Sequence, residues 1–153
     1  MTQRRAPKRG ELNHEGKNMI EIVEGEVARR GVGYVVIMTK IGVGYRVVVP
    51  DGEEYDEGTF CRIWTHQVFR ETDSRLYGFK SIRCLDLFRD LQKLKGVGPV
   101  GAQALLNGGA GLFLKAVREK DAEALKKNRG VGKKLSADVL ALFKETLIKK
   151  SHA

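Results

Sequence analysis

A chain of 153 residues, 42% of them hydrophobic, holds one domain or two small ones, with enough apolar material for a core. Its 28 Lys/Arg against 19 Asp/Glu leave a formal charge of +9, and no apolar run approaches the length of a bilayer-spanning helix, so an anionic partner is favoured and a helical membrane protein is excluded. Cys61 and Cys84 make no disulfide framework, and without a secretory signal they read as free thiols in a reducing cytoplasm.

Met1 to Asn18 contains Gln3-Arg4-Arg5 and Pro7-Lys8-Arg9-Gly10 with almost no apolar residue, and is expected to be a disordered basic arm. From Met19 to about Phe79 the chain reads as strands. Ile20, Ile22 and Val27 open it, Tyr34–Met38 and Tyr45–Val49 follow, then Cys61–His66 and a last short run at Leu76-Tyr77. Valine, isoleucine and aromatic residues dominate these runs. Gly31, Gly42, Gly44, Pro50-Asp51-Gly52 and Gly58 separate them at the spacing of a small barrel or sandwich. Five or six short strands in this length fit an OB-type Greek-key barrel, and on pattern alone an SH3-like barrel serves nearly as well.

After Phe79 the period becomes helical. Leu85, Phe88, Leu91 and Leu94 share a face; Ala102, Leu105 and Leu106 follow; then Leu112, Phe113, Ala116 and Val117; then Leu135, Val139, Leu142, Phe143 and Leu147. These stripes are core rather than a cofactor box. Between the helices stand two similar turns, Leu94-Lys95-Gly96-Val97-Gly98-Pro99 and Asn128-Arg129-Gly130-Val131-Gly132-Lys133-Lys134. Two glycines around one aliphatic residue let the backbone turn tightly and approach a partner, and the helix that follows offers unpaired N–H groups and the positive end of its dipole. Each turn with its two helices is a helix-hairpin-helix unit, with Gly108-Gly109 and Glu119-Lys120-Asp121 as connectors. The expected class is α+β: a barrel followed by an all-α tandem of hairpins.

The charge divides along the same line. Residues 1–18 hold five Lys/Arg against two acids, residues 19–80 eight against ten, and residues 81–153 fifteen against seven. The positive excess coincides with both turns, which points to DNA phosphates bound by Lys95, Gly96, Val97 and Gly98 in the first hairpin and by Arg129, Gly130, Val131, Gly132, Lys133 and Lys134 in the second. Gly96–Gly101 also matches the dinucleotide pattern G-x-G-x-x-G, but it follows an amphipathic helix bearing Lys93 and Lys95 rather than a buried strand, so that reading fails. Gly31-Val32-Gly33 and Gly42-Val43-Gly44 are turns between strands.

Catalytic chemistry is hard to find. His14, His66 and His152 have no metal-ligand spacing, and there is no Walker lysine, nucleophile elbow or Cys-x-x-Cys. The acids at Asp51–Glu57 read as a solvated loop, and Glu71 and Asp73 are too few for a nuclease metal site. No catalytic residue, metal or cofactor is expected.

With these residues assembled, the chain resembles the RuvA family, the DNA-binding subunits of the bacterial Holliday junction branch-migration machine. The resemblance runs from Met19 to about Thr146 and is carried by Ile41–Val47, Thr65–Glu71, Leu76–Phe79, Leu87–Leu91, Lys95–Pro99 and Gly130–Lys134. It implies an OB-fold over 19–80 that assembles a flat four-fold tetramer around the junction centre, and a tandem helix-hairpin-helix domain over 81–153 that lays paired hairpins on the minor groove of one arm. It also implies an acidic pin in the loop matching Arg70–Leu76, where negative charge holds strands apart at the crossover.

Three departures stand out. The family pin places two acids side by side, whereas here Glu71 is followed by Thr72 and then Asp73. The lysine usual after the first hairpin is Val100, which shifts the burden to backbone N–H groups and to Lys93 or Lys95. The sequence ends at Ala153, where the family continues into a linker and a third domain that docks the motor ATPase RuvB, so motor docking by that route is expected to be lost. The resulting expectation is a non-catalytic, homotetrameric four-way-junction binder in a bacterial or phage-infected cell, serving a resolvase or another partner. The rival expectations are a general double-stranded DNA module without junction preference, and a junction nuclease using Glu71 or Asp73.

Overall fold

A computed structural model describes residues 18–51 and 53–151 of the chain, with side chains as far as Phe143. Five strands come first: β1 (Ile22–Gly31), β2 (Tyr34–Met38), β3 (Gly44–Val48), β4 (Phe60–Phe69) and β5 (Ser74–Phe79). Five helices follow: α1 (Ile82–Gln92), α2 (Pro99–Leu105), α3 (Ala110–Glu119), α4 (Ala122–Lys126) and α5 (Lys133–Ser151).

The strands close into a barrel in the order β1-β2-β3-β5-β4. Long β1 makes closure possible by pairing antiparallel with β2 and with β4. A parallel bridge, Val48↔Tyr77, joins β3 to β5. This is the five-stranded OB arrangement, which decides against the SH3-like alternative. The expected basic arm lies outside the described residues apart from Asn18. Asn18 itself is fastened to β4: its side chain donates to the Thr65 carbonyl at 3.1 Å and accepts from the Gln67 N–H at 2.8 Å.

Alternation fills the barrel. Val23, Val27, Val35, Ile37, Val47, Ile63 and Leu76 point inward and are buried. On β5 the alternation serves two cores, because Leu76 and Gly78 face the interior while Tyr77 and Phe79 face the helices. Gly78 is required there, since a Cβ would stand 2.3 Å from Val47 Cγ1 and 2.4 Å from Ile63 Cγ2.

Helix α1 covers that outer face. Ser81 caps it, its hydroxyl accepting from the Cys84 N–H at 3.1 Å. Its Leu85-Phe88-Leu91 stripe is fully buried, with the Phe88 ring centred 5.3 Å from Tyr77 and 5.0 Å from Phe79. The second core therefore runs from β5 through α1 to Phe113, Val139 and Phe143. Two stripe residues fall outside it: Leu112 is 63% exposed and Leu142 44%. Leu112 lies in the first turn of α3, directly after the positive-φ pair Gly108-Gly109, and the packed face of that helix instead uses Phe113, Leu114, Ala116 and Val117. Leu147 lies beyond the described side chains.

Candidate nucleic-acid interface

The two Gly-Val-Gly turns are copies of one backbone structure. Gly96 has φ +84° and Gly130 φ +91°, a region an L side chain rarely adopts. In each, the central valine donates back across the turn, Val97 to the Leu94 carbonyl at 3.2 Å and Val131 to the Asn128 carbonyl at 3.1 Å. Each valine side chain is buried, anchoring the turn to the core. Each second glycine then starts a helix: Gly98 accepts from the Ala102 N–H at 2.9 Å, and Gly132 from the Ser136 N–H at 3.1 Å. The first unit is α1-turn-α2 and the second α4-turn-α5, with α3 between them.

The second glycines carry the most information. Neither Gly98 nor Gly132 has positive φ, and a Cβ on either would meet nothing within 4 Å. The turn does not demand them and packing does not demand them. What their lack of a side chain provides is open space above the backbone, at the point where the first N–H groups of the following helix lack intrahelical partners.

The units are packed into one body. A Cβ on Gly101 would stand 3.4 Å from Leu135 Cδ2, and one on Gly130 3.6 Å from Ala104 Cβ. Asn128 also donates to the Leu105 carbonyl at 3.5 Å. Thus α2 rests against both the second hairpin and α5.

Lys95, Arg129, Lys133 and Lys134 are all exposed beside these turns. Among the described residues none of the four is ion-paired. Lys93, by contrast, is held by Asp90 at 3.1 Å, so a neighbouring acid compensates its charge. Val100 is exposed and offers no charge.

The loop expected to form a pin is the β4–β5 hairpin. Phe69 pairs with Ser74, and the Arg70 N–H donates to the Asp73 carbonyl at 2.8 Å, closing a tight tip that displays Glu71 and Thr72 to solvent. Asp73 is engaged by the Arg75 guanidinium at 3.3 Å. Glu71 forms no ion pair among the described residues, so the two acids are not equivalent. Among the described residues no group of three His, Cys, Asp or Glu side chains is placed to hold a metal ion, and no helix is long and apolar enough to cross a membrane.

Several positioning residues carried no signal in the sequence. Arg89 of α1 donates to His66 Nδ1 of β4 at 3.2 Å and reaches Glu21 at 3.5 Å, tying helix to barrel. Asn107, after α2, accepts from the Asp51 N–H at 3.0 Å. Glu53 accepts from the Tyr55 hydroxyl and from the Lys80 N–H, and its burial raises its pKa. Burial also pushes the Cys84 thiol up to about 11.

Comparison with known proteins agrees with this architecture. Residues 19–78 match the family described as RuvA N terminal domain, and residues 88–143 match the SAM-like helix-hairpin-helix tandem. The chain is 35% identical over 136 residues to the Holliday junction branch migration complex subunit RuvA of Thermoanaerobacter sp. (strain X514), covering 86% of this chain and 72% of that protein. It is 32% identical over 139 residues to the protein of that name from Lactobacillus johnsonii, covering 88% and 72%. With the one from Lactobacillus delbrueckii subsp. bulgaricus the identity is 35% over 123 residues, covering 80% of this chain and 62% of the relative. The chain thus spans between three-fifths and three-quarters of the length of these relatives, and the barrel, the paired hairpins and the sequence similarity agree that it belongs to the RuvA family.

Proposed function

We propose that this chain is a non-catalytic binder of four-way junction DNA, gripping the arms through its paired hairpins and presenting the β4–β5 loop to the crossover. The observation that carries this reading is the pair of turns with matching φ and hydrogen bonds whose second glycines are required by neither backbone conformation nor packing. Two such turns, packed together through α2, offer two backbone sites for the phosphates of a duplex arm. Lys95, Arg129, Lys133 and Lys134 add charge that no ion pair among the described residues neutralises. The name shared by the relatives, a Holliday junction branch migration complex subunit, supports a junction as the form of DNA bound.

In this reading residues 19–80 form the junction-centre and self-association unit and residues 81–153 the arm-binding unit. Four copies surround one junction. Glu71 supplies the uncompensated negative charge at the crossover, with Asp73 held in its pair with Arg75. The contact is to backbone and shape, so base sequence matters little.

The test is a salt titration of binding to an immobile junction. Each lysine that meets a phosphate adds close to one unit to the slope of log K against log salt. Changing Lys133 and Lys134 together to alanine is expected to reduce that slope by about two. An unchanged slope removes both from the interface.

A further inference from the structure

The barrel has a second surface with the chemistry of a nucleic-acid site, on the side that α1 leaves open. It is the outer face of β1, β2 and β3. Register puts Arg29, Val36 and Arg46 in one row across the three strands, and Gly31 and Tyr34 in the next, whose third member, Val48, packs against the helical core. Arg29 faces outward because a bulge interrupts β1: Val27 pairs with inward Ile37 and Arg29 with outward Val36, leaving Ala28 as the extra residue.

Two of these side chains form a stack. The Tyr34 ring lies down against the sheet over Gly31, where a Cβ would stand 2.2 Å from Tyr34 Cε1. The Arg46 guanidinium carbon sits 4.2 Å from the centre of that ring. Its inner face is held by the tyrosine and its outer face is turned to solvent. Arg29 and Arg46 are both exposed, and among the described residues neither is ion-paired. The nearby acids are Glu57, whose carboxylate accepts from the Arg30 backbone N–H at 2.9 Å, and Glu26, one row further along with Met38. Two free guanidinia, Arg29 and Arg46, thus flank Val36 on one face of a segment whose acids outnumber its cations, ten to eight.

In a barrel of this strand order, the face of the second and third strands, bounded by the β1–β2 and β4–β5 loops, is the surface suited to an oligonucleotide. Here those loops are Val32-Gly33 and Arg70–Asp73. We propose that this face is a second nucleic-acid site, specific for single strands: an unpaired base stacks on the Arg46 guanidinium that Tyr34 holds flat, and Arg29 takes an adjoining phosphate. A planar stacking platform beside positive charge is what single-stranded binding needs, and duplex bases cannot use the platform. The site is separate from the hairpins and does not depend on how they bind.

The experiment is fluorescence anisotropy with a short labelled oligo(dT), run in parallel with a labelled four-way junction and a linear duplex. Arg46→Ala and Tyr34→Leu are expected to weaken oligo(dT) binding about ten-fold. Arg46→Lys, which keeps the charge and loses the plane, should also weaken it. The Lys133→Ala/Lys134→Ala protein should bind oligo(dT) as the parent does while losing affinity for the junction. Arg46 is an exposed position, so its alanine variant carries the test if Tyr34→Leu unfolds. The proposal is overturned if the parent does not bind oligo(dT), if Arg46→Ala binds it unchanged, if its affinity follows Lys133 and Lys134 instead, or if Arg46→Ala weakens linear duplex equally.

Discussion

Glycines at positions 96 and 98 look alike in the sequence and do different work in the structure. Gly96 has positive φ, so Gly96→Ala strains the backbone and is expected to cost about 1–3 kcal/mol. Gly98 and Gly132 have ordinary φ and open space around them, so Gly132→Ala should move the melting temperature little while weakening DNA binding, because its methyl group occupies the space a phosphate would enter. Thermal melts and binding assays on the two variants separate these roles; equal loss of stability in both would contradict the assignment. The turns themselves were legible from spacing and composition. Which glycine bends the chain and which only leaves open space was not, because that depends on φ and on neighbours distant in sequence. The cysteines follow the same logic: with its thiol raised to about 11 by burial, Cys84 is expected to resist alkylation near neutral pH in the folded protein and to react once it unfolds. Mass spectrometry after timed alkylation checks this.

At the scale of elements, patterning predicted the strands and helices well where one face is buried and less well where both are. β5 runs over Ser74–Phe79, longer than the Leu76-Tyr77 run the sequence displays, because its residues serve the barrel core and the helical core alternately. Phe88 packs the helical core onto the outer side of β5, and Phe88→Ala is expected to cost about 3–5 kcal/mol and to loosen the helices from the barrel; an unchanged melting temperature would contradict this. The β3–β4 segment gives a pH prediction. Burial raises Glu53 above its ordinary value of 4.5, so its folded form binds the proton more tightly than its unfolded form. Its contribution to stability is therefore fully present below about 4.5 and is lost as pH rises through the raised folded value. Glu53→Gln keeps an acceptor for the Lys80 N–H and removes the charge. Melting curves of parent and variant should accordingly diverge as pH rises, the variant becoming relatively more stable. Divergence in the opposite sense would mean that the hydrogen bonds from Tyr55 and Lys80 outweigh desolvation.

Over the whole molecule, charge and architecture divide together. Acids slightly outnumber cations in the barrel segment, and cations outnumber acids by about two to one among the helices that carry the hairpins. That division was legible by counting. The contacts that hold the halves together, Arg89 to His66 and Asn107 to the Asp51 backbone, were not, because they join residues far apart in sequence without a recurring pattern. Nor was the Arg75–Asp73 pair, which leaves Glu71 as the uncompensated acid at the loop tip. If, as proposed, the hairpins attract arms and that tip repels strands, the protein should prefer DNA in which four arms meet. The most direct test is a gel-shift competition at near-physiological salt between an immobile four-way junction and linear duplexes of the same arm sequences. Retention of the junction complex against excess duplex is the predicted result; displacement by duplex in proportion to its concentration would contradict junction recognition and leave a general clamp for double-stranded DNA.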